Sequence, residues 1–202
     1  MRQQATRELL AYWNRLRGDE LAPDRADIDL AAIRGTLSDL FMLDLDVAHQ
    51  FPFLMAGTRL NAFFCAEQLG RSFLGLWQPQ DARNVAAALM TAIEAACPIL
   101  AAVNASPEGY RDADIEILLL PLRHGGYAAS RLLGLATPAA QPPWVGLLPA
   151  THFKLRALRT IEAQPNWPNM SKASALAFAA KARTNERPAD IRGHLRVFDG
   201  GK

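Results

Sequence analysis

Two cysteines and four histidines are all that a 202-residue chain provides of the side chains most used to hold metals and redox groups. Cys65 and Cys97 sit among apolar and alanine residues without zinc-site spacing. They read as buried free thiols in a reducing compartment, not as a disulfide framework. The histidines (His49, His124, His152 and His194) fall in expected turns, strand ends and the tail. No spaced His/Cys/carboxylate cluster points to a metal. The sequence also lacks a P-loop, a GxGxxG turn, a nucleophile elbow and a Ser/His/Asp set, which argues against an enzyme. No apolar run approaches the length of a membrane span, and Glu8 and Asn14 interrupt the N-terminal segment, so neither insertion nor a signal peptide is expected. Net charge is only +2, too small by itself to imply nucleic acid or an anionic membrane. These absences leave a cytoplasmic, non-catalytic protein, with 50% hydrophobic residues to build a core.

What is present is organised around Phe41–Trp77. Phe41–Val47 alternates, with Asp44 and Asp46 interleaving Leu43, Leu45 and Val47, and Phe51–Gly57 follows after three residues. This is the period-2 signature of a half-buried antiparallel hairpin. Leu60, Phe63 and Phe64 then fall at helical spacing behind Thr58, an expected N-cap, and Gly70 closes the segment.

Two helices are expected upstream. In residues 3–17, Ala5, Leu9, Trp13 and Leu16 form one stripe and Gly18 ends it; after a polar link, Asp29 caps a second, with Leu30, Ile33, Leu37 and Leu40. Downstream, Asp81 opens a long alanine-rich helix to Ala96, with Val85, Leu89, Ala92 and Ile93 on its stripe, and Pro98 stops it. Ile99–Val103 is a third strand. Ile115–Arg123 is a fourth, whose run ILLLPL is apolar on both faces and forces Pro121 to a bulge or an edge. Gly125-Gly126 reverses the chain into Arg131–Ala136, the fifth. Beyond the link TPAAQPP, Trp144–Leu148 reads as an edge strand and Phe153–Ile161 as a short basic helix. Residues 162–202 read as a flexible tail. The expected divisions are a helical extension (1–40), a central domain with its C-terminal extension (41–161) and the tail (162–202).

The stretches YWNRLRG (12–18), PDRADIDLAAIRGTL (23–37), FMLDL (41–45), AGTRL (56–60), GRSFLGLW (70–77), LLLPL (118–122) and RLLGL (131–135) resemble, in order and spacing, a family of stand-alone PAS-like proteins of alphaproteobacteria, once a domain of unknown function. The resemblance covers about residues 8–160. It implies an α+β fold, a five-stranded antiparallel sheet with helices on one face, preceded by the two N-terminal helices. It also implies a cytoplasmic sensor or adaptor in a bacterial regulatory pathway, without an output domain of its own. Two cofactors of such domains are argued against. A haem needs a proximal histidine facing the pocket, and helix 81–96 has none. A photoactive flavin site would carry an Asn-Cys-Arg-Phe type motif, and Cys65 lies in FFCAEQLG instead.

The candidate ligand pocket lies between sheet and helices. Phe64, Phe73, Leu76 and Trp77 are expected on one wall, Val85 and Leu89 on another, and Phe53, Met55, Ile117 and Leu119 on the floor. Arg59, Arg71 or Tyr110 would be the polar anchor for a small apolar or aromatic ligand. The competing reading is a core filled by those side chains. Leu9, Trp13 and Leu16 offer a face either to the protein's own sheet or to a second copy, as a homodimer. From Lys154 to the end there are ten Lys/Arg against four Asp/Glu. The alternative function is therefore a nucleic-acid-associated regulator using the tail; but the charges are dispersed and without an aromatic platform, which argues against nucleic acid. The first hypothesis is an adaptor acting through a regulatory protein partner.

Overall fold

A strand apolar at almost every position needs a neighbour on each side and a layer on each face, and the run Ile117–Leu119 has all four. The computed structural model describes residues 1–124 and 127–161 (and no side chains between 125 and 129). These residues fall in one compact unit. The elements are α1 (Gln4–Arg17), β1 (Leu40–Asp44), β2 (Phe53–Ala56), α2 (Thr58–Phe63), α3 (Pro79–Ala95), β3 (Ile99–Ala105), β4 (Ala113–His124), β5 (Tyr127–Pro138) and β6 (Lys154–Thr160). They make one antiparallel sheet of order β2-β1-β5-β4-β3-β6. The long β4–β5 pair is its centre.

Inward-facing Ile117 and Leu119 join Phe41, Phe53, Leu89 and Leu132 in the main core under α2 and α3. Outward-facing Leu118, Leu120, Leu122, Leu133 and Leu135 form a second core with Leu9, Tyr12 and Trp13 of α1 and with Ile28 and Ile33. The N-terminal segment is thus the outer layer of the sheet. Trp13 is fully buried, and its Nε1–H donates to the Pro121 carbonyl at 2.8 Å. Pro121 itself falls beyond the paired span of β3, which begins opposite Leu119, so its missing N–H interrupts no ladder on that side. The start of α1 has no cap of its own. Instead Glu116, on β4, accepts from the backbone N–H of Arg2 (2.8 Å) and Gln3 (3.2 Å), joining the helix entry to the sheet. Burial pushes the Glu116 carboxyl up, but the Arg2 and Gln3 bonds help outweigh that and hold it below its ordinary value.

Several expectations are corrected. The sheet has six strands, not five. The added one is Lys154–Thr160, expected as part of a short basic helix; its Leu155 and Leu158 stand three residues apart. In β6 that spacing comes from a bulge: Ala157 opposes Ala102 and Leu155 opposes Val103, so Arg156 is extra and both leucines reach the main core. Trp144–Leu148 is a turn, not a strand, with Leu147 and Leu148 N–H both on the Trp144 carbonyl. The second N-terminal helix is absent. Residues 29–37 instead wind through i→i+3 hydrogen bonds, including Ile33 N–H to Leu30 and Leu37 N–H to Arg34, with a 3₁₀ turn at Arg34–Thr36. Steps of three and four suit either winding, and Gly35 disfavours the α-helix. The first hairpin is shorter in its strands and longer in its loop, because Gln50 and Phe51 both take positive φ. Gly57, not Thr58, is the N-cap of α2. The Gly125-Gly126 reversal and the 162–202 tail lie outside the described residues.

Because α1 covers the strands' own leucines, its loss is a folding defect before it is an association defect. Trp13→Ala is expected to lower unfolding stability by about 3–5 kcal/mol through cavity formation and the lost indole bond. Urea denaturation followed by circular dichroism measures it, and a change under about 1 kcal/mol would contradict the outer-layer role.

Candidate functional site

The inner face is decided by a few backbone irregularities. In β2 the register shifts between Met42 and Leu43, which pair with Met55 and Phe53, leaving Leu54 as an extra bulged residue. Phe53 therefore points into the main core while Met55 packs on the outer layer. Met55 does not line the interior, since one inserted residue reverses the parity of everything beyond it. Along the free edge of β2 runs the chain around Gly70–Phe73: Gly70 N–H reaches Phe53 O at 2.8 Å, and Phe73 N–H reaches Phe51 O at 3.1 Å. Gly70 supplies a φ of 74° for this turn. The result sets Phe73 inside and leaves Arg71 exposed.

Between sheet and helices the aromatic rings touch in a continuous series. Phe41 meets Phe53 and Phe73 at 5.6 Å each, Phe53 meets Phe73 at 5.8 Å, and Phe73 meets Trp77 at 5.7 Å. Trp77 in turn meets Phe153 at 5.5 Å, and Phe153 meets Phe64 edge-on at 5.1 Å. Such offset and edge-to-face contacts are the favourable geometries for aromatic pairs. Phe41 lies across Gly134, its cross-strand partner on β5, and a Cβ at Gly134 would overlap that ring. Phe53, Phe73, Leu89, Ile117 and Leu119 are all buried to 2% or less, and Trp77 to 3%. Leu76 and Val85 are buried beside them. The expected pocket residues are thus gathered in one place, Met55 and Arg59 excepted, but they are gathered against one another.

Arg59 is placed elsewhere. Gly57 lies so close to the Leu37 and Ser38 carbonyls that a Cβ would collide with them. This approach lets Gly57 N–H reach Leu40 O at 2.7 Å and Arg59 N–H reach Ser38 O at 2.8 Å. The Arg59 guanidinium then lies on Asp39, with Nη1 at 2.6 and 2.7 Å from its two carboxylate oxygens. Arg59 is therefore the partner of a buried carboxylate, not a ligand anchor. Tyr110 is exposed on the β3–β4 turn. Leu9 and Trp13, expected as an interaction face, are buried against the sheet, with Leu16 half-buried beside them.

Sequence reasoning passed over Phe41 and Phe153 as interior residues. The alternation that puts Phe41 with Leu43 on the dry face could have found the first. The second was hidden by the helical reading of its neighbours.

A profile of the PAS domain family matches residues 1–137. The chain belongs to the PAS domain family. A PAS domain is a sensory or signalling module, and this one carries α1 and the turns after it within the matched span. No curated protein matches the sequence. Among solved structures it is similar to a light-oxygen-voltage domain studied with a flavin analogue (12% identity, 78% of this chain and 95% of that one, TM-score 0.43). Others are the LOV protein of Rhodobacter sphaeroides (14%, 71% and 71%, TM-score 0.43) and a PAS domain from Colwellia psychrerythraea (14%, 55% and 97%, TM-score 0.41).

In the PAS interior Phe41, Phe53 and Phe73 touch one another between sheet and helices, and Cys65 is exposed, its thiol turned to the Ala62 carbonyl. None of the described histidines, His49, His124 and His152, belongs to the main core.

Burial raises the Asp39 carboxyl above its ordinary value although Arg59 beside it draws it down. A raised value means the folded state favours the protonated acid, so the Asp39 contribution to stability is full at low pH and falls as pH rises through its titration. Arg59→Met removes the opposing charge. It is expected to cost about 2 kcal/mol at neutral pH, less than a fully buried pair because Arg59 is one-third exposed. The difference from wild type should shrink as pH falls and Asp39 protonates, which denaturation at a series of pH values reads directly. A pH-independent loss would mean that Arg59 acts by packing alone.

Proposed function

We propose that this PAS domain is a cytoplasmic signalling adaptor that works by contact with a regulatory protein, and neither as a catalyst nor as the reader of a cofactor held in its interior. The observation that carries the reading is the Phe41 ring closed over Gly134 and backed by Phe53 and Phe73: the volume between sheet and helices is taken by the chain's own side chains. A module of this kind signals by changing how layers pack. Residues 58–77 lie on one face of the sheet and α1 on the other, and β1 and β5 carry residues in both cores, so a displacement on one face is felt at the other. The signal-bearing surface is then sought elsewhere than on Leu9 and Trp13, since a homodimer built through them would first have to lift α1 from its own sheet.

A second reading has one specific observation behind it. The Trp77 Nε1–H and the Gln68 Oε1 are buried without a hydrogen-bond partner among the described residues. A small polar molecule reaching either atom would satisfy a donor or an acceptor that the chain leaves unmet. The tail-dependent nucleic-acid alternative concerns residues outside those described.

Native mass spectrometry of freshly purified protein, followed by denaturing analysis of anything released, separates the first two. The adaptor reading expects the mass of the polypeptide alone. A stoichiometric small molecule released on denaturation would replace it with the ligand reading.

A further inference from the structure

α1 does not cover the whole outer face. Past its end, where β2, β1, β5 and β4 run side by side, lies an open recess of about 630 Å³ bordered by Arg25, Met42, Leu54, Met55, His124 and Arg131. Each is placed there by something already described. The β2 bulge turns Met55 outward and leaves Leu54 40% exposed. Met42 alternates outward from Phe41 on β1, and Arg131 is the cross-strand partner of Asp44 and Leu122 at the end of β5. The short 3₁₀ turn Arg25–Asp27 sets Arg25 over the rim, held there because Arg123 N–H reaches Pro23 O (2.9 Å) and Arg123 Nε reaches Ala22 O (2.8 Å).

The chemistry is one-sided. Arg25, Arg131 and His124 border the recess, and among the described residues no acidic one lines it. Arg131 meets Asp44 at 2.6 Å, but Arg25 has no carboxylate within 4 Å among the described residues, and its Nε rests on the Met42 sulfur at 3.3 Å. Asp24 is turned to the N–H of Ala26. A rim on which Arg25 is left without a carboxylate, over a floor of two methionines and a leucine, matches an anionic chain that brings an apolar side chain. Methionine accommodates such a side chain without a fixed shape, and the rim orients the charges. Among the described residues that line it there is no aromatic ring on which a nucleic-acid base could stack.

We propose that this recess is the partner-docking site, and that its occupant is an acidic peptide segment of another protein carrying a leucine or phenylalanine flanked by glutamate or aspartate. The proposal rests on the adaptor reading above.

The five methionines make the test direct. In full-length protein labelled with ¹³C at the methionine methyls, Met42 and Met55 report from the recess, while Met1 and Met90 report from elsewhere. The probe is the capped synthetic octapeptide Glu-Glu-Leu-Glu-Glu-Phe-Glu-Glu. Controls are its lysine-for-glutamate counterpart, octaglutamate and an eight-nucleotide uridine RNA. Saturable movement of the Met42 and Met55 signals with the first probe, and not of Met1 and Met90, is the expected result. Binding should weaken about tenfold in Arg25→Glu and in Leu54→Glu, two positions at least partly open to solvent, and should fall with added salt. Unmoved Met42 and Met55 signals would overturn the proposal, as would an equal response to the lysine peptide, to octaglutamate or to the RNA. Failure here with no small molecule released in mass spectrometry would remove the recess and leave the adaptor reading; a released small molecule would remove that reading whatever the methionines do.

Discussion

Leu118, Leu120 and Leu122 on one side of β4, with Ile117 and Leu119 on the other, set the constraint from which the rest of the architecture follows. A strand apolar on both faces cannot lie against water, so a bare antiparallel sheet with helices on one side only is not available to this sequence. The outer face needs its own cover, and α1 is the element that supplies it, fastened by the Trp13 bond to Pro121 and by Glu116 at its entry. What looks from the sequence like an appendage is therefore part of the fold's minimum. The same constraint sets the α1 stripe of Leu9 and Trp13 against Leu118, Leu120 and Leu133 of its own sheet.

On the inner face the constraint is volume. β4 and β5 present a broad apolar floor, and Gly134 leaves a gap in it that a side chain would have closed. Phe41 fills that gap from the neighbouring strand, and the aromatic series from Phe53 to Phe153 continues outward from there. Interiors packed in this way lose several kilocalories per mole when a large ring is removed. Trp77 Nε1 and Gln68 Oε1 are each buried without a hydrogen-bond partner among the described residues, two polar groups that the chain itself leaves unmet.

Much of the architecture was legible because it depends on periodicity. The alternation around Phe41–Leu43, the stripe of α3 and the doubly apolar β4 each imposed one geometry, and together they placed Phe53, Phe73, Trp77, Leu89, Ile117 and Leu119 in one layer. The misreadings come from two kinds of place. Bulges defeat parity: one extra residue at Leu54 sent Met55 to the opposite face, and another at Arg156 gave a strand the three-residue spacing of a helix. Side-chain pairing over long separations defeats spacing. Arg59 looked free until the close approach of Gly57 to Ser38 set it on Asp39, and Arg131 becomes intelligible only beside Asp44, 87 residues earlier.

These two kinds of irregularity meet at the one surface with a chemical character of its own. A regular β2 would have turned Met55 inward and Leu54 to the sheet's outer face, with no room left for an apolar floor beneath Arg25. The bulge instead adds an exposed leucine and an outward methionine to a strand of only four residues. Charged or bulged edges usually serve to keep sheets apart. Here the charges sit over apolar ground, in a recess that α1 leaves uncovered though it packs on the neighbouring strands. An outer layer that stops short of the β2–β1 edge both completes the fold over β4 and leaves one part of the sheet available, so the covering and the opening are consequences of the same element.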